Sequence, residues 1–595
     1  MKRLANVYYL AASVALMTLL VYLPALQNKF VEWDDRDYIT ANPSIRSLDV
    51  AFLKWAFLQF FPSYWHPLTW ISHALDYAFW GLNPLGHHLT SIVLHALNTF
   101  LVVVLVSRLL AAFNGRRRLN DPSPFSNERS VLIAAGTTGL LFGLHPLNVE
   151  SVAWVSERKT LLCGLFFLLS IMSYVNGAIS GQSGDCGNAG AGRKRTFLNK
   201  HYLLLLVFFI LALLSKPMAV TLPVVLLILD WHPFGRIRSV KTFLTAFLEK
   251  FPLFLLSLAS SIVTVFAQKA VGALSARYAM APLPTRVLVA AHALIAYLGK
   301  MVWPLNLVPF YPYPETASLA SMEYFVPTAL VVGITVVCVV NAKKRKFWLT
   351  AWSYYCMTLI PVLGIVQVGG QSMADRYTYL PCLGPFMIMG LGAAWLWEKS
   401  HAPERLSPLV KLISGAAAIG LLCFLSSATF KQIGVWKNNL CLWNYVIAKD
   451  PTISFAYNNR GLTYDELGRF DEAIKDLDKA VELAPTDYWA YTNRGMLFGK
   501  TGQFNKAIED FERAIVLDPS HPETYINLGI AYAKKGLVDK AIEQFTKAIL
   551  IDPRQAMAFY NRGLLYSRTG SNDRAASDYQ KACELGSAEA CEALQ

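Results

Sequence analysis

Charge is scarce in this chain. Of its 595 residues only 16% are Asp, Glu, Lys or Arg, while 54% are apolar and the mean hydropathy is +0.36. Soluble domains carry about a quarter charged residues. The deficit excludes a disordered segment, a collagen and an ordinary cytosolic enzyme, and leaves a membrane protein. Cysteine is sparse and unpatterned. The nine residues contain no CxxC and no metal-ligand spacing, which excludes a small disulfide-framed domain. Cys583 and Cys591, near the C-terminus, are read as neighbours at helical spacing rather than as a bond. Acidic residues are the scarcer charge, 40 against 54 basic, for a net +14. Residues 451 onward carry a net −4 and the first 450 a net +18. A basic excess confined to the apolar part is the pattern of cytoplasmic loops, and it argues against nucleic acid as a partner.

The first apolar run, 7–26, follows Lys2 and Arg3. It is too long for a signal-peptide core and lacks a small-residue cleavage site, so an uncleaved first span with a cytoplasmic N-terminus is expected. Further runs at 89–111, 131–147, 160–178, 201–215, 218–231, 251–268, 324–341, 347–366, 378–397 and 409–428 predict eleven spans. Four basic clusters then fall inside: Arg116–Arg118, Arg193–Arg195, Arg236 with Arg238, and Lys343–Lys346. The chain leaves the last span on the outer side. Segment 286–304, with His292, Lys300 and a closing Pro304, is expected as a re-entrant or interfacial helix. Counted as a twelfth span, it would place Lys343–Lys346 outside and the C-terminal region inside.

From 451 a period appears. Pro451, Pro485, Pro519 and Pro553 are 34 residues apart. So are Gly461, Gly495, Gly529 and Gly563, and likewise Gly468, Gly502, Gly536 and Gly570. Ala473, Ala507, Ala541 and Ala575 keep the register, as do Ala480, Ala514, Ala548 and Ala582. Small residues let two helices approach, and proline ends the pair. This is the tetratricopeptide (TPR) pattern over four units, an α-solenoid. Residues 436–450 are expected to cap it. Asn459, Asn493, Asn527 and Asn561 recur two places before the first glycine, on the helix that lines the concave face. An amide donates and accepts, which suits the backbone of an extended peptide; the plainer reading is that it satisfies backbone groups between helices. Arg460, Arg494 and Arg562 read as solvated or inter-repeat charges.

Ionisable groups at membrane depth are costly and mark function. The first outer loop, 27–88, opens FVEWDD, with Asp34 and Asp35. A carboxylate there could take a proton from a hydroxyl, hold a divalent cation such as Mg or Mn, or cap a helix. His66, His73, His88 and His95 follow without an HExxH spacing and read as interfacial histidines rather than metal ligands. Three further patches carry His145, Glu150, Glu157, Arg158 and Lys159; Lys216; and Gln371, Asp375 and Arg376. Cations beside a hydrophobic slot suit a lipid phosphate, the alternative being side chains that snorkel from span ends.

These motifs in this order (FVEWDD, HPLTWISHALDYAFWGLNPLGHHLTSIVLHALN, HPLNVESVAWVSERKTLL, SKPMAVTLP, DRYTYLP, then the repeats) resemble the transmembrane-and-TPR O-mannosyltransferase family, in the GT-C class of polytopic glycosyltransferases. The resemblance implies an all-α fold: a GT-C-like domain over 1–430, a juxtamembrane capping helix over 431–450 and four TPR units over 451–595. It also implies transfer of mannose or another hexose from a polyprenyl-phosphate donor to Ser or Thr hydroxyls of exported proteins, with inversion. Under it Asp34 and Asp35 are candidates for the base or for metal-linked activation of the acceptor. Arg376, Lys216, Arg158 and Lys159 would neutralise the leaving phosphate. His66, Glu150, His145 and Asp375 would shape the pocket, and Asn459, Asn493, Asn527 and Asn561 would hold the acceptor peptide. Short loops suggest a bacterial plasma-membrane protein with its repeats outside. The competing readings are a non-catalytic membrane anchor for a TPR scaffold and a lipid-linked glycan ligase. Convergence of Asp34, Asp35 and Arg376 in one pocket is what separates an enzyme from a scaffold.

Overall fold

A computed structural model describes residues 2–60, 65–114, 127–183, 199–270, 281–314, 316–365, 371–400 and 408–594. The clusters Arg116–Arg118 and Arg193–Arg195 lie outside the described residues. The chain forms two units, Met1–Cys441 and Leu442–Gln595.

The described residues of the first unit are mostly helical. Its elements are α1 (Lys2–Tyr22), α2 (Val50–Leu58), α3 (Pro67–Trp80), α4 (Pro84–Asn114), α5 (Glu128–Leu144), α6 (Val149–Ala153), α7 (Arg158–Ser183), α8 (Lys200–Ser215), α9 (Leu222–Trp231), α10 (Val240–Ala270), α11 (Leu283–Val302), α12 (Met322–Val340), α13 (Lys346–Leu359), α14 (Leu383–Ser400) and α15 (Pro408–Val435). The β structure among the described residues is one short antiparallel pair, β1 (Tyr311–Pro312) with β2 (Gln371–Met373).

The expected count of eleven spans is not supported. Among the described residues, seven helices are long and apolar enough to cross a membrane, or eight if the bent pair Glu128–Leu144 and Pro146–Ala153 is one span. A span needs about 20 residues at 1.5 Å each. The runs at 201–215 and 218–231 form helices too short for that, and α13 has only 14 residues. Conversely, the segment expected to be re-entrant forms α11, a 20-residue helix that qualifies as a span. Its His292 and Lys300 did not shorten it: the Lys300 Nζ donates to the Tyr311 hydroxyl at 2.8 Å.

Chain breaks recur where proline follows. His66, His145 and Lys216 each precede a proline and each has a non-helical backbone. Proline disfavours the helical region for the residue before it. The sequence therefore interrupts its apolar helices next to polar side chains.

The second unit begins in α16 (Asn439–Lys449) and continues as helix pairs: α17 (Ser454–Glu466) with α18 (Phe470–Leu483), α19 (Tyr488–Lys500) with α20 (Phe504–Leu517), α21 (Pro522–Lys534) with α22 (Val538–Ile551), and α23 (Ala556–Arg568) with α24 (Asn572–Glu584). The helix α25 (Ala588–Ala593) follows. Two glycine columns have separate reasons. A Cβ at Gly529 would sit 2.7 Å from the Phe545 ring, so the helix pair closes only on glycine. Gly502 turns the chain at φ +78°, a conformation that side chains resist. Trp443 packs edge-on against Phe455, 5.5 Å between centroids, so residues from 442 on cover the first repeat.

The arginine column is inter-repeat in part, as Arg494 reaches Asp478 and Arg562 reaches Thr546 of the preceding repeats at 2.8 and 2.9 Å, and it also braces each repeat internally. Arg460 holds Asp476 through two hydrogen bonds at 2.6 and 2.8 Å, Arg494 holds Asp510 at 2.8 and 2.7 Å, and Arg562 holds Asp578 at 2.8 Å twice. Each pair joins the two helices of one repeat. Where the third repeat has Leu528 in place of arginine, the acid is also replaced, by Gln544. The terminal cysteines also depart from expectation: Cys583 and Cys591 are disulfide-bonded. Gly586, at φ +96°, reverses the chain between α24 and α25 and brings them together.

Candidate active site

The first loop leaves α1 and is pinned at several points. The Lys29 amide donates to the Lys437 carbonyl at 2.9 Å, and the Glu32 amide to Asn439 Oδ1 at 2.7 Å. Trp33 stacks on Trp154 at 4.8 Å, and Trp154 on Trp436 at 5.3 Å. Trp154 belongs to the interrupted stretch between α5 and α7, which bends by 49° and runs as short turns before α7 resumes. The loop thus rests on broken helix, whose free backbone amides supply donors.

The two aspartates of this loop do different things. Asp35 is buried and accepts from the Val31 and Ser156 amides, both at 2.9 Å, and from the Ser156 hydroxyl. Burial pushes its carboxyl up to about 6, against the pull of those donors. Asp34 is 31% exposed, opens on a cleft and meets Lys159 Nζ at 3.6 Å. Asp35 therefore fastens the loop and Asp34 is the carboxylate presented.

The cleft holds about 370 Å³. Its polar wall includes Asp34, His66, Glu157, Lys159, Lys216 and Arg376, and its apolar wall includes Met218, Val220, Val265 and Val362. Three cations surround one carboxylate. Glu157 lies 3.1 Å from Lys216, 3.3 Å from Lys159 and 3.4 Å from Arg376. Lys216 also donates to the Thr160 hydroxyl at 2.7 Å. Arg376 is ion-paired with buried Glu150, whose other oxygen accepts the Arg376 amide at 2.9 Å. A second guanidinium nitrogen of Arg376 donates to Gln371 at 3.1 Å. The guanidinium lies 5.3 Å over Trp154 and 5.0 Å over Tyr377. Burial opposes its charge, but Glu150 and Glu157 hold it protonated well above the usual value. Burial, then Lys159 and Lys216, keep His66 neutral, well below the usual imidazole range. A neutral imidazole beside a carboxylate and three cations can bind hydroxyls without adding charge.

Of the residues singled out from the sequence, Asp34, His66, Lys159, Lys216 and Arg376 converge on this cleft, with Glu150 behind Arg376. Besides Glu150, four do not line it. Arg158 neighbours Lys159 in sequence but sits 100° away around α7; it is buried in an ion pair with Asp76 and donates to the His87 carbonyl at 2.6 Å. His145 faces the Met301 carbonyl at 3.2 Å and the Phe386 ring. Asp375 accepts from the Tyr311 hydroxyl at 3.0 Å. Burial, with Glu150 nearby, pushes Asp375 up to about 7, while Lys300 opposes the shift. Asp35 is the fourth, as described. Sequence reasoning placed Glu157, the hub, in its patch but gave it no role; its signal was an acid set directly beside two bases, in ERK, at the start of an apolar helix.

Glu150 and Glu157 are already neutralised by lysine and arginine, and among the described residues no three His, Cys, Asp or Glu side chains group as ligands.

In the second unit, the four asparagines are half-buried on the first helices of their repeats. Asn459 and Asn561 donate to the carbonyl one turn back, at 2.7 and 2.8 Å, and Asn493 to Asn458 at 2.9 Å. On the same helical face, Phe455, Trp489 and Met557 precede the asparagine by four residues, and Met496 follows Asn493 by three; all four are exposed.

Polytopic helices with a charged cleft, followed by helix-pair repeats, define the class: a multi-pass membrane protein carrying a TPR solenoid. Tetratricopeptide repeat models match residues 454–487, 477–509, 522–555 and 556–585, and a TPR repeat model matches 497–536. Over most of its length the chain is similar to the TMTC protein O-mannosyl-transferases. It is 24% identical over 499 residues to Tmtc1 of Drosophila melanogaster, covering 69% of this chain and 53% of that one. With TMTC4 of Mus musculus it is 24% identical, covering 69% and 57%, and with F38B6.6 of Caenorhabditis elegans 24%, covering 78% and 61%. The chain thus spans about half to three-fifths of the length of these relatives. Among solved structures, MamA is 32% identical over 26% of this chain and 88% of its own, at a TM-score of 0.23. YrrB, described as a TPR protein with an unusual peptide-binding site, is 23% identical over 30% and 87%, at 0.24.

Proposed function

We propose that this protein is a glycosyltransferase that moves a hexose, mannose by its relatives' name, from a polyprenyl-phosphate donor to Ser or Thr hydroxyls of proteins, inverting the anomeric carbon. One observation carries the reading: Asp34 faces Lys159, Lys216 and Arg376 across a cleft with an apolar wall. The acceptor hydroxyl gives its proton to the Asp34 carboxylate as its oxygen bonds to the anomeric carbon. The bond from that carbon to the phosphate oxygen breaks on the opposite side, and the electron pair stays with the phosphate. Lys159, Lys216 and Arg376 stand ready for that charge, and such donors are worth roughly 10²–10³ in rate each. Met218, Val220, Val265 and Val362 suit the first prenyl units.

The repeats would hold the acceptor as an extended peptide, with the asparagines reading its backbone and the exposed Phe455, Trp489, Met496 and Met557 its apolar side chains. The Cys583–Cys591 bond supports an oxidising, extracytoplasmic setting for this unit.

The test is reconstitution. Full-length protein with polyprenyl-phosphate mannose and a Ser/Thr peptide should yield a peptide heavier by one hexose with inverted linkage, and Lys216→Gln with Arg376→Gln should remove it. Wild-type protein that binds the donor yet transfers nothing to any hydroxyl would return the scaffold reading.

A further inference from the structure

The helix α12 stands apart from the cleft and buries only Tyr324 and Cys338 of its 19 residues. One stripe of it, Ala329, Gly333, Val337 and Asn341 with their neighbours, lines a groove of about 590 Å³ that ends at Arg345 and Trp348. Nothing lies within 4 Å of where a Cβ would sit on Gly333, so the groove is open there. Trp352 on α13 donates to Thr335 on α12 at 2.9 Å and fixes the two helices at the groove's flank.

Its mouth carries charge of one sign. Lys343, Lys344, Arg345 and Lys346 are consecutive and exposed. No carboxylate lines the groove. Among the described residues, Lys343, Lys344 and Arg345 make no ion pair, while Lys346 sits 5.5 Å over the Trp231 ring.

Length identifies the occupant. From 329 to 341 the stripe runs about 18 Å at 1.5 Å per residue. One leaflet's hydrocarbon is about 15 Å deep, half of the roughly 30 Å core. The groove therefore takes an acyl chain from one leaflet, with its head group at Arg345 and Trp348. In hydrocarbon an apolar groove has no preference among lipid tails, so selection falls to the head, and an unpaired basic run selects a negative one.

We propose that α12 and the 343–346 run form a binding site for an anionic glycerophospholipid, with its phosphate at Arg345 and one acyl chain along Ala329–Val337. The site is independent of the proposed transfer reaction.

Native mass spectrometry of the full-length protein, delipidated in neutral detergent, tests this with phosphatidylglycerol and phosphatidylcholine at equal concentration. Wild type should retain phosphatidylglycerol about tenfold over phosphatidylcholine, as a few basic residues at a membrane surface provide. The triple variant Lys343→Gln, Lys344→Gln, Arg345→Gln should bring the two lipids to parity. Gly333→Leu, which plugs the groove and leaves the charges, should lower phosphatidylglycerol retention about fivefold. Unfolding midpoints in phosphatidylcholine confirm that both variants are folded; if one is not, Gly333→Ala and Arg345→Gln alone replace them. Equal retention of the two lipids by wild type overturns the proposal. So does undiminished phosphatidylglycerol on folded Gly333→Leu, preferential capture of polyprenyl phosphate in a third arm, or a wild-type dimer that Gly333→Leu abolishes.

Discussion

Neighbouring aspartates in FVEWDD should separate function from folding. Asp34 makes one ion pair, 3.6 Å from Lys159, and is partly exposed. Such a pair is worth less than about 1 kcal/mol, so Asp34→Asn should unfold within a few degrees of wild type. Its loss as general base should lower transfer by roughly 10²–10⁴. Asp35 accepts three hydrogen bonds, from the Val31 amide and from the amide and hydroxyl of Ser156. Each buried donor left unpaired costs about 1–3 kcal/mol. Asp35→Ala should therefore lose roughly 3–5 kcal/mol, after allowing for relaxation and water entry, and Asp35→Asn, which keeps one acceptor, about half of that. The assay pairs thermal unfolding in detergent with hexose transfer to a peptide, measured well below either midpoint. Asp34→Asn retaining more than a third of wild-type turnover, or Asp35→Ala melting with wild type, would refute the division of labour.

Three further outcomes are expected. Glu157→Gln removes the carboxylate shared by Lys159, Lys216 and Arg376; leaving buried charges uncompensated costs about 3–5 kcal/mol, yet phosphate-bearing lipid should bind more tightly and restore part of the unfolding midpoint. In the repeats, Arg494→Leu strands buried Asp510 and should cost about 2 kcal/mol, while Arg494→Leu with Asp510→Gln, the pair that the third repeat itself uses at Leu528 and Gln544, should recover most of it by the same unfolding measurement. Asp375 is raised to about 7 in the fold, above the unfolded value near 4, so the native state binds the extra proton and its penalty appears as pH rises. Asp375→Asn should then be more stable than wild type at pH 8, with the advantage fading toward pH 5 in a series of thermal melts; a difference that grows on acidification would contradict the sign.

Much of this was legible in the sequence. The repeats were, because helix-pair packing forces glycine and alanine into fixed columns. The cleft residues were legible as separate patches, since polar groups at membrane depth stand out. What joins them was not. Lys159 enters the cleft and Arg158 leaves it because the chain turns at Trp154 before α7 begins, a rotation that composition does not record. Glu157 stood in its patch without a role, and only three-dimensional proximity to Lys216 and Arg376 makes it a hub. Apolar runs were over-counted as spans because hydropathy measures greasiness but not helix length. His145-Pro146 cuts a run, 131–147, that hydropathy reads as continuous, and Lys216-Pro217 leaves the runs on either side of it too short to cross.

The charges of the cleft cancel: Lys159, Lys216 and Arg376 against Asp34, Glu150 and Glu157. In the proposed reaction the donor is a phosphodiester with one negative charge, whereas the lipid left behind is a monoester whose second ionisation lies near pH 6. Transfer therefore turns a singly charged guest into a nearly doubly charged one in a pocket with no spare cation. Asp34, having taken the acceptor's proton, must return it to water before the next cycle, which restores its own repulsion toward that phosphate. The enzyme would hold its substrate better than its product, and a third lysine in place of Glu157 would tighten donor binding at the expense of turnover.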